Sequence, residues 1–128
     1  MPCTILYDAS VGVVRAIYTG NEEFSSLSSS VDATIKVLLE NNCTKLLCDM
    51  SKSTIRMNVL EMIQIEKIIN DAFRVHNILP IKIKRAMVRK INKANLENYH
   101  FFETSSVNNL HRVKVFSQCD EALTWLLE

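Results

Sequence analysis

The sequence predicts an α/β domain: a mixed, mostly parallel five-stranded sheet with four helices, in the order β-β-α-β-α-β-α-β-α. Three observations carry this expectation. Short β-branched runs alternate with longer segments whose apolar residues recur at three- and four-residue steps, the pattern of strands feeding helices. The first two β-rich runs are separated only by residues 8–12, too few for a crossover helix, so they form an antiparallel hairpin ahead of the parallel strands. Finally, residues 45–76 read KLLCDMSKSTIRMNVLEMIQIEKIINDAFRVH, an apolar strand ending at Asp49, a polar crossing and a long helix. That is half of a βαβ unit, and in such sheets ligands and partners gather at the carboxyl ends of the strands.

Taken in order, Thr4-Ile5-Leu6-Tyr7 and residues 13–19 form the hairpin, and Gly20 ends its second strand because it tolerates positive φ. Residues 22–41 form the first helix, with Phe24, Leu27, Val31, Ile35, Leu38 and Leu39 in one stripe and Ser25, Ser29, Asp32, Lys36 and Glu40 opposite. The serines between 25 and 30 fill solvent-facing positions. Asn41-Asn42 closes this helix, since asparagine accepts the left-handed conformation of a C-terminal cap. Residues 44–50 make a strand that is apolar on both faces, as a central parallel strand should be.

The second helix starts at Asn58, with Glu61 completing a capping box. Its core stripe is Met62, Ile65, Ile69, Ala72, Phe73 and His76, and Pro80 forbids continuation. Leu60 and Ile63 break the pattern by projecting with Lys67, Asn70 and Arg74, which leaves apolar surface near the helix start. Residues 81–91, IKIKRAMVRKI, form a basic strand; helical content around Leu96, Tyr99 and Phe102 follows within 92–110. A short alternating strand at 111–116 and a helix from Asp120 to Leu127 complete the order. Two carboxylates at that helix's start favour its positive end.

A length of 128 residues and a mass of 14.6 kDa suit a single domain spanning 1–128. Hydrophobic residues make up 48% but occur in short bursts, far below the roughly 18-residue run that a spanning helix needs. The start, MPCTILYDAS, lacks a basic segment followed by an apolar one, so a cytoplasmic location and reduced thiols are expected. Cys3, Cys43, Cys48 and Cys119 show no ligand spacing and read as small buried hydrophobes, with no metal expected.

Net charge is +1, which gives no global attraction to nucleic acid or membrane. The basic excess lies in the second half, where Lys82, Lys84, Arg85, Arg89, Lys90 and Lys93 occur with no acid between Asp71 and Glu97. Without interleaved aromatics or a glycine cradle these read as a solvated rim rather than a nucleic-acid groove.

Catalysis has little support. His76, His100 and His111 are scattered, and a lone His100–Glu103 pair makes neither a metal nor an acid–base site. With Gly12 and Gly20 the only glycines, neither a phosphate loop nor a dinucleotide fingerprint can form, so no cofactor is expected.

Several segments together resemble the STAS-like fold: the hairpin closing in Tyr18-Thr19-Gly20, KLLCDMS before a long helix, the strand IKRAMV, FFET at 101–104, and the tail RVKVFSQCDEALTWLL. Within that fold the chain is similar to small bacterial proteins related to stage II sporulation protein AA, of the anti-sigma factor antagonist kind. The resemblance implies a non-enzymatic regulatory protein-binding module. In that family a kinase docks around the loop after the third strand, and phosphorylation of a serine at the next helix start blocks binding. The family's Asp-Ser-Ser/Thr-Gly-Leu motif should fall near Arg56-Met57-Asn58-Val59, where this chain departs from it. Ser51, Ser53 and Thr54 stand a few residues earlier, making Ser53 and Thr54 the candidates for a displaced switch.

The expected docking surface is therefore Met50, Ser51, Lys52, Ser53, Thr54, Arg56, Met57, Asn58, Leu60 and Ile63, for a protein partner or a second copy, without the usual phosphoswitch. The alternative is a carrier or sensor of an apolar, lipid-like small molecule. Met57, Met62, Met87, Tyr99, Phe101 and Phe102 would line its cavity between helices and sheet.

Overall fold

The expected hairpin is formed by β1 (Cys3–Asp8) and β2 (Val13–Gly20), which pair antiparallel from Cys3 opposite Tyr18 to Asp8 opposite Val13. Asp8 holds the turn. Its backbone oxygen accepts from the Gly12 amide at 2.9 Å, and one carboxylate oxygen accepts from both the amide and the hydroxyl of Ser10. Gly12 lies at φ +71°, where the absence of a Cβ removes the usual steric cost. The computed structural model describes residues 3–20, 24–53, 59–90, 100, 103–104 and 111–128.

After the hairpin come α1 (Phe24–Glu40), β3 (Lys45–Ser53), α2 (Val59–Val75), a 3-10 turn (Pro80–Lys82), β4 (Lys84–Val88), β5 (Arg112–Phe116) and α3 (Cys119–Leu126). The sheet runs β1-β2-β3-β4-β5 in space, with β1 an antiparallel edge and the other four strands parallel. Three helices are seen among the described residues. The fourth expected helix, within 92–110, lies largely outside them, although His100, Glu103 and Thr104 are helical.

Both long helices end in the same way. Asn42 (φ 49°) and Asn77 (φ 57°) take the left-handed conformation, and the amides of Cys43 and Ile78 reach back five residues to Leu38 O at 2.9 Å and Phe73 O at 2.8 Å. These caps satisfy carbonyls that the last turn leaves open.

The sheet separates two cores. On one face Val14, Ala16, Tyr18, Leu46, Met50 and Val113 pack with Ile35 and Leu38 of α1 and Met62, Ile65 and Phe73 of α2. On the other, Val13, Leu47, Ala86 and Val88 pack with Ala122 and Leu126 of α3. Each fully buried aliphatic side chain there contributes about 1.5–3 kcal/mol.

The basic strand is shorter than 81–91. Pro80 opens a 3-10 turn closed by Ile83 N–H to Pro80 O at 3.1 Å, so Ile81 and Lys82 stay outside the sheet. Lys82 and Lys90 are exposed as a solvated rim requires, but Lys84 and Arg85 are not part of one, because β4 is covered on both faces and both are buried with it. Lys84 Nζ donates to the Trp125 carbonyl and lies 4.5 Å from that indole ring, tying α3 to the sheet.

Candidate functional site

The carboxyl end of β3 carries an irregularity. Ile17 pairs with Asp49 but Thr19 pairs with Lys52, so Met50 and Ser51 together oppose Tyr18 and the strand holds one extra residue. Asp49 organises this bulge, its Oδ1 accepting from the Ser51 amide at 3.0 Å and the Ser51 hydroxyl at 2.6 Å. Bulges of this kind re-aim side chains where a strand leaves its sheet. Beyond it Lys52 is exposed, and Ser53 ends the ladder opposite Gly20.

Leu60 and Ile63, in the first two turns of α2, are 63% and 46% exposed. Two other residues of the expected docking surface are oriented differently. Met50 is only 4% exposed and belongs to the α1–α2 core, because on β3 it shares a face with Leu46, so it is no docking contact. The Ser53 hydroxyl is enclosed and has no hydrogen-bond partner, which withholds it from a kinase in this conformation. Thr54, Arg56, Met57 and Asn58 lie outside the described residues, as do Tyr99, Phe101 and Phe102 of the expected apolar pocket.

Beneath α1 and α2 lies a cavity of about 70 Å³. Its walls are mostly aliphatic, from Leu27, Val31 and Ile35 of α1, Ile65 and Ile69 of α2, and Met50 and Met87 of the sheet. Met62, expected in such a pocket, is instead buried in the core beside it and does not reach the cavity. Tyr18 and Thr34 also reach the wall, and both hydroxyls are bonded internally: Tyr18 to the Ser30 hydroxyl at 2.7 Å, Thr34 to the Ser30 carbonyl at 2.8 Å. Ser30 is thus a core partner rather than a solvent-facing filler. Burial pushes the Cys48 thiol up to about 11, which leaves it a poor nucleophile at neutral pH.

One wall residue is a cation. Arg85 is 6% exposed, and its Nε and Nη2 have no hydrogen-bond partner. Burial lowers its affinity for the proton, and the Cys48 and Glu66 groups offset part of that effect. Glu66, on α2, is itself buried. His111, just ahead of β5, completes the polar group. Its Nε2 meets Asn70 Oδ1, its ring lies 5.1 Å from that of Phe73, and its Nδ1 is buried without a partner. Burial, with the Arg85 charge second, pushes its pKa down to about 4, so it is neutral at pH 7.

Arg85, Glu66 and His111 were not legible as a group in the sequence. A signal existed for one: Glu66 lies one turn from Met62 and falls on the apolar stripe of α2. Glu103 does not pair with an exposed His100 but accepts from the Val115 amide at 3.4 Å. Among the described residues no group of three or more His, Cys, Asp or Glu side chains is placed to hold a metal. No described helix is long and apolar enough to cross a membrane.

The architecture is that of the SpoIIAA-like fold, in which anti-sigma factor antagonists are built. An anti-sigma factor antagonist from Mycobacterium paratuberculosis superposes with a TM-score of 0.60 at 15% identity, covering 98% of this chain and 95% of its own. An uncharacterised DUF3478-family protein with a SpoIIAA-like fold, from Shewanella loihica PV-4, superposes with a TM-score of 0.55 at 10% identity, covering 97% and 91%. No family model matches the chain, and no curated protein matches it.

Proposed function

We propose that this chain is a non-enzymatic regulatory interaction module that docks a protein partner, or a second copy of itself, at the corner where β3 gives way to α2. The observation that carries the reading is the pair Leu60 and Ile63, two large aliphatic side chains held in solvent in the first two turns of α2, the helix that follows β3 in the chain. Exposed apolar surface of this kind, flanked on the same helix by exposed Gln64 and Lys67, is what a docking site needs. The anti-sigma factor antagonist of similar fold supports a regulatory role. With the phosphoswitch motif absent and the Ser53 hydroxyl enclosed, docking proceeds without a serine switch of the usual kind.

The test is site-directed photocrosslinking. A photoreactive residue at position 60 or 63 should capture one discrete partner or a dimer, whereas the same residue at Thr124, exposed on α3 across the sheet, should capture neither. Equal yields at all three positions would overturn the assignment.

A second reading is favoured by a specific observation, the cavity beneath α1 and α2: the chain carries or senses a small molecule with an apolar body.

A further inference from the structure

We propose that the outer edge of β1 is a homodimer interface, where Cys3–Tyr7 pairs antiparallel with the same strand of a second copy and joins two five-stranded sheets into one. This goes beyond the docking reading above: it assigns self-association to a different surface and leaves the β3–α2 corner to a different protein.

The two edges of the sheet are finished differently. At β5 the Val115 amide is taken up by the Glu103 carboxylate at 3.4 Å, and Arg112 and Lys114 stand as exposed charges along the strand. Both devices discourage a further strand. At β1, among the described residues, no strand lies beyond the ladder to β2. The stretch Cys3–Tyr7 holds no charged residue and no proline, and its register with β2 runs without a bulge. Leu6 and Tyr7 are 40% and 36% exposed. An edge of this kind leaves alternate backbone N–H and C=O groups open to another strand.

Symmetry selects a second copy over a foreign strand. A two-fold axis normal to the sheet reverses the strand direction but keeps the faces, so it opposes only residues that share a face. Centred on Ile5, it sets Ile5 against Ile5 and Cys3 against Tyr7 of the second copy on the helical face, and Thr4 against Leu6 on the other. No like charges meet, and Asp8, engaged with Ser10 and Arg15, falls beyond the paired stretch. Helix α1 meets the same requirement. It packs over β1, so the axis sets two copies of α1 side by side. Asp32 lies 3.9 Å from His76 at the end of α2, which fixes the flank of α1 that faces α2. The flank turned away from it, toward the open edge, carries Ala33, Val37 and Asn41, none of them charged. Two such flanks can approach to the roughly 8–10 Å of packed helices, whereas a foreign strand would leave them uncovered.

The experiment is sedimentation equilibrium of the full chain over a hundred-fold concentration range reaching high micromolar. The mass should rise from 14.6 kDa to twice that value. Thr4→Lys with Leu6→Lys, which opposes like charges across the axis, should hold the chain monomeric and move its melting temperature little, because both side chains are exposed. Thr4→Glu with Leu6→Glu should do the same, and an equimolar mixture of the two double variants should recover the dimer. Ala33→Lys, on the exposed α1 flank, should weaken the dimer at least ten-fold, and it decides the matter should the strand variants fail to fold. A chain monomeric throughout, a dimer that survives the lysine pair or Ala33→Lys, or a mixture that stays monomeric would overturn the inference and leave the corner reading standing. Leu60→Asp with Ile63→Asp should dimerise as the unaltered chain does; loss of the dimer there would overturn the inference and give the second copy to the corner.

Discussion

His111 sits where a proton is unwelcome. Its ring is buried against Phe73, Nε2 is committed to Asn70, and Arg85 adds a positive field. The folded-state pKa is about 4, against about 6.5 for an unfolded chain. Because the folded form has the lower value, its stability is fully present above about pH 6.5 and declines as pH falls toward 4. The loss is on the order of 2–3 kcal/mol by proton linkage. Denaturant unfolding at pH 7.5, 5.5 and 4.5 should show this decline, and His111→Gln should flatten it; an equally steep profile in the variant would assign the slope to carboxylates instead. A second residue-scale expectation concerns Asn42. At φ 49° a β-branched side chain crowds the backbone, so Asn42→Val should cost about 1–2 kcal/mol, measured as a lower denaturation midpoint.

At the scale of elements, α3 has a core of its own. Leu126 and Ala122 are completely buried against Leu47, Ala86 and Val88, and Lys84 reaches through to the Trp125 carbonyl. Leu126→Ala should therefore destabilise the chain by about 2–5 kcal/mol, measurable by thermal or urea unfolding. Elements with a strong period or a sharp stop were readable beforehand: the hairpin closing at Gly20, α1 and its Asn42 cap, β3 into α2, and the final strand and helix. What escaped reading has a common physical cause. Charged residues in a strand buried on both faces look like a wet rim in sequence, because only the layers packed above and below decide their burial. Lys84 and Arg85 were misjudged for that reason, while Pro80 shortened the strand ahead of them. The corner was partly legible, since helical projection placed Leu60 and Ile63 outside the core stripe. It gave no sign of the bulge, which turned on a hydrogen bond from Ser51 to Asp49.

At the scale of the whole molecule, the proposed docking corner and the cavity share structure, since Met50 belongs to the wall of one and to the strand end of the other. Replacing Leu60 and Ile63 together with Asp should weaken association at least ten-fold while moving the melting temperature by only a few degrees, because neither side chain is buried. Analytical ultracentrifugation with the captured partner, beside a thermal melt, checks both halves. A large drop in melting temperature would show instead that these side chains support the fold. The extra residue in β3 also has a consequence for length. Because Met50 and Ser51 share one partner, the bulge absorbs the added residue, and Lys52 and Ser53 keep Thr19 and Gly20 as neighbours. A single deletion there would straighten the strand's exit and remove the turn that Asp49 makes with Ser51, while the residues beyond it would stay opposite the same partners.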